Sequence, residues 1–364
     1  MQKFAFVIHP IDVRRDVGRK YPIAKYAPEP LIAGVLPLLK PRVVSHITGV
    51  RSEQGTEAEG WFIACPLTPT QLLTLPTELV YKKLIACGKI AEELGAGIMG
   101  LGALTSVVGD GGITIAKGLN IAVTTGNSYT VATAVEGAVR GAELMGTPIA
   151  EATVAVVGAA GSIGRTSALM LAPDAARIVL IGRNIDRLQP IAAEIAALPR
   201  HGDITVTADV AAGLKDADVV VTVTSSADAI ILPEHLKRGA VVCDVARPRD
   251  VSVRVQKERN DVLIIEGGMV AVPGPDLDFH FNFGFPAKTA YACMSETIML
   301  ALDAAETGTF RSFTLGKEVS VAQAQETQCL AKKHGFHLAG FRSFEFAVTE
   351  EQIATIRRNA GLGK

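Results

Sequence analysis

Aromatic side chains are scarce in this chain, 5% of 364 residues with a single Trp. Large aromatic cores are therefore excluded, and the interior must be built from Ala, Val, Ile and Leu. Cysteine is also sparse. Cys65, Cys87, Cys243, Cys293 and Cys329 are odd in number and widely spaced, with no CxxC pair, which argues against a disulfide framework and a cysteine-based zinc site. Neither sign of charge dominates: 36 Lys and Arg face 37 Asp and Glu, a formal net charge of -1. No basic stripe is interleaved with aromatics, so nucleic-acid binding has no electrostatic footprint. Long apolar runs are missing too, since none reaches the ~18 residues of a membrane helix. Met1 leads into a strand-like Lys3–Ile8 rather than a basic segment and an apolar signal core. These absences lead us to expect a soluble cytoplasmic protein with no nucleic-acid partner, no integral membrane segment and no metal.

What is present is glycine, 35 residues, and a hydrophobic content of 48% rich in aliphatic residues. That combination suits parallel sheets buried on both faces. The chain reads as α/β, with a Rossmann-type doubly wound parallel sheet and an α/β substrate domain. Residues 1–150 form the N-terminal substrate domain, with strands at Phe4–Ile8, Val43–Val50, Trp61–Ala64 and Ile121–Thr124 and a helix from Pro76 to about Leu94. Gly100-Leu101-Gly102, Gly109–Gly112 and Thr124–Thr130 read as polar or glycine-rich turns, and a helix follows to Met145. Residues 151–270 alternate strands and helices, with strand candidates at Val154–Val157, Ile178–Ile181, Ile204–Thr207, Val219–Val223, Ala240–Asp244 and Val262–Ile265. Residues 271–364 return to the substrate domain through helices at Ala287–Ala305 and Gln323–Lys333.

The strand ending at Val157 runs into Gly158-Ala159-Ala160-Gly161-Ser162-Ile163-Gly164 and then a helix. Glycines allow an immediate turn and let backbone N–H groups approach a pyrophosphate at the positive end of the helix. The G-x-x-G-x-x-G spacing is weak alone, but strand–loop–helix is the context it requires. We therefore assign cofactor contacts to Gly158, Ala160, Gly161, Ser162, Ile163 and Gly164. At the end of the second strand, Gly182-Arg183-Asn184 stands where an NAD-specific acid would be expected. Arg183 can pair with a 2′-phosphate, so the expected cofactor is NADPH, with Asn184, Thr224 and Ser225 also lining the cleft.

Several segments together resemble the long-chain acyl-[acyl-carrier-protein] reductases best known from cyanobacteria. They are Gly100–Ser106, Thr124–Thr130, Ala152–Gly164, Gly182–Asn184, Glu266–Gly268 and Tyr291–Glu296. The resemblance runs through most of the chain but is poor over residues 10–60. It departs from the family at Tyr129, where a His is usual. It implies NADPH-dependent reduction of a long-chain fatty acyl thioester to a fatty aldehyde, through a transiently acylated cysteine that falls on Cys293. It also implies a substrate delivered by acyl carrier protein or coenzyme A, and a downstream enzyme that consumes aldehyde.

From the residues alone, Pro286 should start a helix, leaving Cys293 about two turns in and beyond help from the helix dipole. Cys65 is the rival nucleophile; Cys87, Cys243 and Cys329 read as core or inert. Asn127, Ser128 and Tyr129 are candidate hydrogen-bond donors to an oxyanion, or helix caps. Lys82, Lys83 and His280 are weaker candidates for proton transfer. Two other readings stand beside the thioester reductase. One is a shikimate- or amino-acid-type dehydrogenase with direct hydride transfer, and the other a non-catalytic NADP-binding sensor.

Overall fold

The computed structural model describes residues 1–10, 13–20, 22–226, 228–282, 284–344 and 346–362. The chain forms two compact units. The first gathers Met1–Asn127, Ala271–Glu318 and Cys329–His337; the second gathers Ser128–Val270, Val319–Gln328 and Leu338–Lys364.

In the first unit β1 (Gln2–Ile8), β2 (Arg42–Arg51), β3 (Glu57–Ala64), β4 (Ile98–Gly100) and β5 (Ala122–Thr124) form a sheet of order β2-β3-β1-β4-β5. Only β2 runs antiparallel to its neighbour. Alternation along β1 sorts side chains between the faces. Ala5 and Val7 join Ile63, Met99 and Val123 in a core closed by Val80, Leu84, Cys87 and Ala91 of the helix Thr77–Glu93. Phe6 points the other way, toward the helix Ala292–Thr307, whose Thr297 stands over Gly100. Phe6, Gly100 and Thr124 are in register, so β1, β4 and β5 present their carboxyl ends side by side.

Two expectations fail here. Gly100, expected in a turn, is the last residue of the inner strand β4, and the turn starts beyond it. The helix expected from Pro286 begins at Ala292. The amide and hydroxyl of Thr289 both donate to the Pro286 carbonyl, at 3.3 and 2.7 Å, and Lys288 has φ 59. A left-handed residue cannot continue a right-handed helix, so the chain turns and runs extended before the helix starts.

The second unit holds β6 (Thr153–Val157), β7 (Arg177–Ile181), β8 (Asp203–Thr207), β9 (Val219–Thr222), β10 (Val241–Asp244) and β11 (Leu263–Glu266). All six are parallel in the order β11-β10-β9-β6-β7-β8, which is the doubly wound order 3-2-1-4-5-6 read from its other edge. Val154 and Val156 pack on one face with Ala134, Ala138 and Ala142 of the helix Asn127–Met145. Those alanines recur every fourth residue and so form one small-residue stripe. Ala155 and Val157 face the opposite core with Val220, Val242 and Ile264. A terminal helix, Glu350–Ala360, was not foreseen. It starts at a Thr349–Gln352 capping box and adds Ile353 to the first of these cores.

Among the described residues, no helix is long and apolar enough to cross a membrane, and no group of three or more His, Cys, Asp or Glu could hold a metal ion.

Candidate active site

In the first unit the candidate nucleophile is Cys293. Tyr291 is the N-cap of the helix Ala292–Thr307, so Cys293 is the second helical residue. This corrects the expectation of a position two turns in: the thiol lies in the first turn, where backbone N–H groups and the dipole favour negative charge. Two glycines from distant segments make room for it. A Cβ on Gly126, which has φ +74, would stand 2.3 Å from both Cα and Cβ of Cys293. One on Gly102 would stand 3.0 Å from its Sγ. Gly100 does the same one turn further on, since a Cβ there would meet Thr297 Oγ1 at 2.0 Å. Glycine is required at these positions because protein, not ligand, occupies the space.

Cys293 is half-buried, while Cys65, Cys87 and Cys243 are buried and Cys329 is exposed, which removes the core alternative of its reading as core or inert. Burial pushes the Cys293 thiol up to about 12. Hydrogen bonds from the backbone of Met294 and Ala103 work against that rise, and the negative charge of Glu296 adds to it. Cys65, the rival, is 0% exposed in the core under the helix Thr77–Glu93. Its neighbour there is Cys87, whose thiol is pushed far up by burial and by the adjacent Cys65. Cys243 is raised to about 12, by burial and then by Asp244.

Glu296 is the residue that sequence reasoning missed. It is 0% exposed, and its Oε1 accepts from the hydroxyls of Thr124 at 2.5 Å and Thr314 at 3.2 Å. The signal was an acid three positions after a cysteine in a stretch with no other charge before Asp303, which puts both on one face.

Asn127, Ser128 and Tyr129 open the helix Asn127–Met145 and are all buried. Asn127 directly follows the glycine that packs on Cys293. Burial, then the charge of Glu136, raises the Tyr129 phenol well above its ordinary value, so it keeps its proton. Lys82 is exposed, and Lys83 donates to the Leu39 carbonyl at 2.5 Å. His280 is exposed and lies 3.1 Å from the Thr48 hydroxyl.

The second unit builds the candidate nucleotide loop. Gly158 has φ +84, and a Cβ on it would stand 2.5 Å from the Val223 carbonyl oxygen. A Cβ on Gly164 would stand 2.4 Å from the Gly158 oxygen. Gly161 is the N-cap of the helix Ser162–Leu171 and meets only that same oxygen, at 3.3 Å. Ala160 and Ile163 complete this open turn, whose first helical amides belong to Ser162 and Ile163. The cradle therefore fits a pyrophosphate, because the backbone near Gly161 is bare and ends in a helix N-terminus.

Arg183 is exposed just past the end of β7. Asn184 caps the helix Ile185–Ala196, accepting from the Arg187 amide at 3.4 Å. Arg187, which the sequence reading passed over, donates to the Ala160 carbonyl at 3.2 Å and so braces the loop. Thr224 is tied to Asp250: its amide and hydroxyl donate to that carboxylate at 2.9 and 2.5 Å. Ser225 beside it is exposed. Asp250, fully buried, also accepts from the Thr222 hydroxyl at 2.6 Å and was likewise missed.

Comparison with known proteins agrees with the second unit. Residues 141–266 match the family model for shikimate / quinate 5-dehydrogenase. An aminotransferase, PigE, of Serratia sp. is 27% identical over 85% of this chain and 36% of its own length. The chain thus spans about a third of that relative. A long-chain acyl-[acyl-carrier-protein] reductase of Synechococcus elongatus is 26% identical over 90% of this chain and 95% of the reductase. A glutamyl-tRNA reductase of Sorangium cellulosum is 28% identical over 29% of this chain and 20% of its own. With the parallel six-stranded sheet and its glycine loop, these similarities identify the chain as a relative of the nicotinamide-dependent reductases and dehydrogenases.

Proposed function

We propose that this chain reduces a long-chain fatty acyl thioester to the aldehyde with NADPH, by way of an acyl group held on Cys293. The observation that carries the reading is the seat of Cys293: a half-buried thiol in the first turn of a helix, with Gly102 and Gly126 cleared around it. The core Cys243 is also approached by a glycine, since a Cβ on Gly267 would stand 3.1 Å from its Sγ, so partial exposure and the first-turn position are what set Cys293 apart.

The thiol attacks the thioester carbonyl. A new S–C bond forms at Cys293, the carrier's S–C bond breaks, and the thiol proton leaves with the carrier sulfur. The acyl-cysteine keeps the electrophilicity of the original thioester. Reduced nicotinamide, held by the Gly158–Gly164 loop, would supply hydride. An acyl-cysteine that gained a hydride and a proton would be a thiohemiacetal on Cys293, whose collapse releases the aldehyde and returns the free thiol. Amides at the helix start are suited to the carbonyl oxygen as it gains charge, and Asn127, Ser128 and Tyr129 are the side-chain candidates for the same task. Arg183, with no acid at the end of β7, supports NADPH over NADH. The likeness to the Synechococcus reductase supports an acyl-carrier-protein thioester as substrate, with acyl coenzyme A as the alternative donor. An aldehyde is an amino acceptor, which agrees with the likeness to part of an aminotransferase and with a downstream enzyme that uses the aldehyde.

The shikimate-type match favours a second reading, direct hydride transfer to a carbonyl without a covalent stage. Intact-mass analysis separates the two. Incubation with palmitoyl thioester and no NADPH should add the mass of one palmitoyl group. That gain should vanish in Cys293→Ala, together with NADPH-dependent aldehyde formation. Full turnover in Cys293→Ala would remove the covalent mechanism.

A further inference from the structure

Cys293 and Glu296 stand three residues apart on one helix, so their side chains emerge on the same face. Glu296 lies in the first two turns of a helix whose next residues, Thr297 to Leu302, are buried without exception. A buried carboxylate there is costly unless it is held. It is held by hydroxyls from two separate strands of chain, Thr124 at the carboxyl end of β5 and Thr314. Thr314 is itself fixed, because its carbonyl accepts from the Thr125 hydroxyl at 2.5 Å. Both hydroxyls donate to the same oxygen, an arrangement that suits an ionised carboxylate. The elements packed around the thiol, β1 through Phe6, β4 with its exit loop through Gly100 and Gly102, and β5 with its exit through Thr124 and Gly126, bring no ionisable side chain in these contacts. Glu296, one turn on along the same helix face, is the charged group whose field opposes a negative Sγ.

We propose that Glu296 is a positioning residue for Cys293: its carboxylate pins the first turns of the helix to β5 and Thr314, and its buried negative charge disfavours a second negative charge on Sγ. The thiol then rests in its protonated, poorly nucleophilic form, protected from adventitious electrophiles. Loss of the proton is coupled to attack on a bound thioester, whose leaving sulfur carries it away. This inference deepens the proposed function and rests on Cys293 being the nucleophile.

The test titrates the thiol in the full-length protein without substrate. Iodoacetamide labelling of Cys293 is followed by peptide mass spectrometry from pH 6 to 10.5. In wild type the rate should still be rising at pH 9.5, above the ordinary cysteine range. Glu296→Gln keeps an acceptor for both threonine hydroxyls and removes the charge. Its labelling should be about tenfold faster at pH 8, the equivalent of roughly one unit in thiol pKa. Glu296→Asp, which keeps the charge, should stay near the wild-type profile. A wild-type midpoint at or below pH 8.5, or a folded Glu296→Gln with an unchanged profile, overturns the inference. If Glu296→Gln does not fold, Thr124→Val, which removes one of the hydroxyls holding the carboxylate, is titrated in its place, and an unchanged profile overturns the inference. Acyl mass gain is read separately: its absence with the labelling shift present would sink the proposed function and leave the charge coupling standing.

Discussion

Two helix N-termini, one in each unit, are lined by glycine for opposite reasons. At the Gly158–Gly164 loop, Gly158 and Gly164 serve local backbone approach, and Gly161 leaves space that no protein atom closer than 3.3 Å claims. At the Cys293 helix, Gly102 and Gly126 leave space that the cysteine itself fills, at 3.0 Å or less. The first arrangement suits an anion that arrives from solution. The second suits close seating of one residue by two segments far away in sequence. Glycine content alone does not say whether the vacated volume belongs to ligand or to protein.

The sharpest way to break this comparison is to add one methyl at each end. Gly126→Ala places a Cβ against Cys293 backbone and forces a left-handed φ on a non-glycine residue. We expect a loss of about 2–4 kcal/mol in urea unfolding, together with loss of Cys293 acylation. Gly161→Ala should cost less than about 1 kcal/mol, because φ there is -83 and the one neighbour needs to give only slightly. Its effect should instead be on NADPH binding, measured by fluorescence titration. Equal destabilisation by both substitutions would erase the distinction drawn here.

A smaller effect sharpens the nucleotide side. Arg183→Ala should weaken NADPH binding by about tenfold, in line with one charge-assisted contact, and leave NADH binding nearly unchanged. If the larger loss appears in Arg187→Ala with no change in the NADPH-to-NADH ratio, bracing of the loop rather than phosphate pairing is the dominant role.

The smallest effect concerns pH. His334 is fully buried, with neither ring nitrogen hydrogen-bonded, and burial lowers its pKa below 6.5. A histidine that is harder to protonate when folded supports stability above its unfolded pKa. That support is lost as pH falls through about 6.5 toward the folded value. The drop in thermal midpoint between pH 7.5 and 5 should therefore be smaller in His334→Phe than in wild type. His9, lowered by its own burial, remains in both proteins and cancels from the difference. An identical drop in the two would remove His334 from the account.

Local features were the legible ones. The β6–loop–helix sequence is continuous, so its strand, turn and helix could be read from Val154 to Leu171 by hydrophobic runs and glycine placement. The six parallel strands followed from aliphatic runs spaced by helices. By contrast, β4 is three residues long and ends in a glycine, so its pattern was indistinguishable from a turn. The late start of the Cys293 helix rests on Lys288 adopting φ 59, which no propensity of lysine announces.

By itself, the amino-acid sequence determined the α/β class, the strand–glycine loop–helix unit and the basic residue after its second strand, all of which depend on neighbours within about twenty residues and on hydrophobic period. Cys293 became a candidate through the family resemblance, not through its local surroundings. Only the tertiary structure decided what surrounds the sulfur: Gly102 and Gly126 at its side, Glu296 one turn below it, and Thr124 and Thr314 holding that carboxylate. These groups are separated by up to about two hundred residues of chain. They meet because the parallel strands β4 and β5 end at the same edge of the sheet, and strand pairing of that kind is written in no local stretch of sequence.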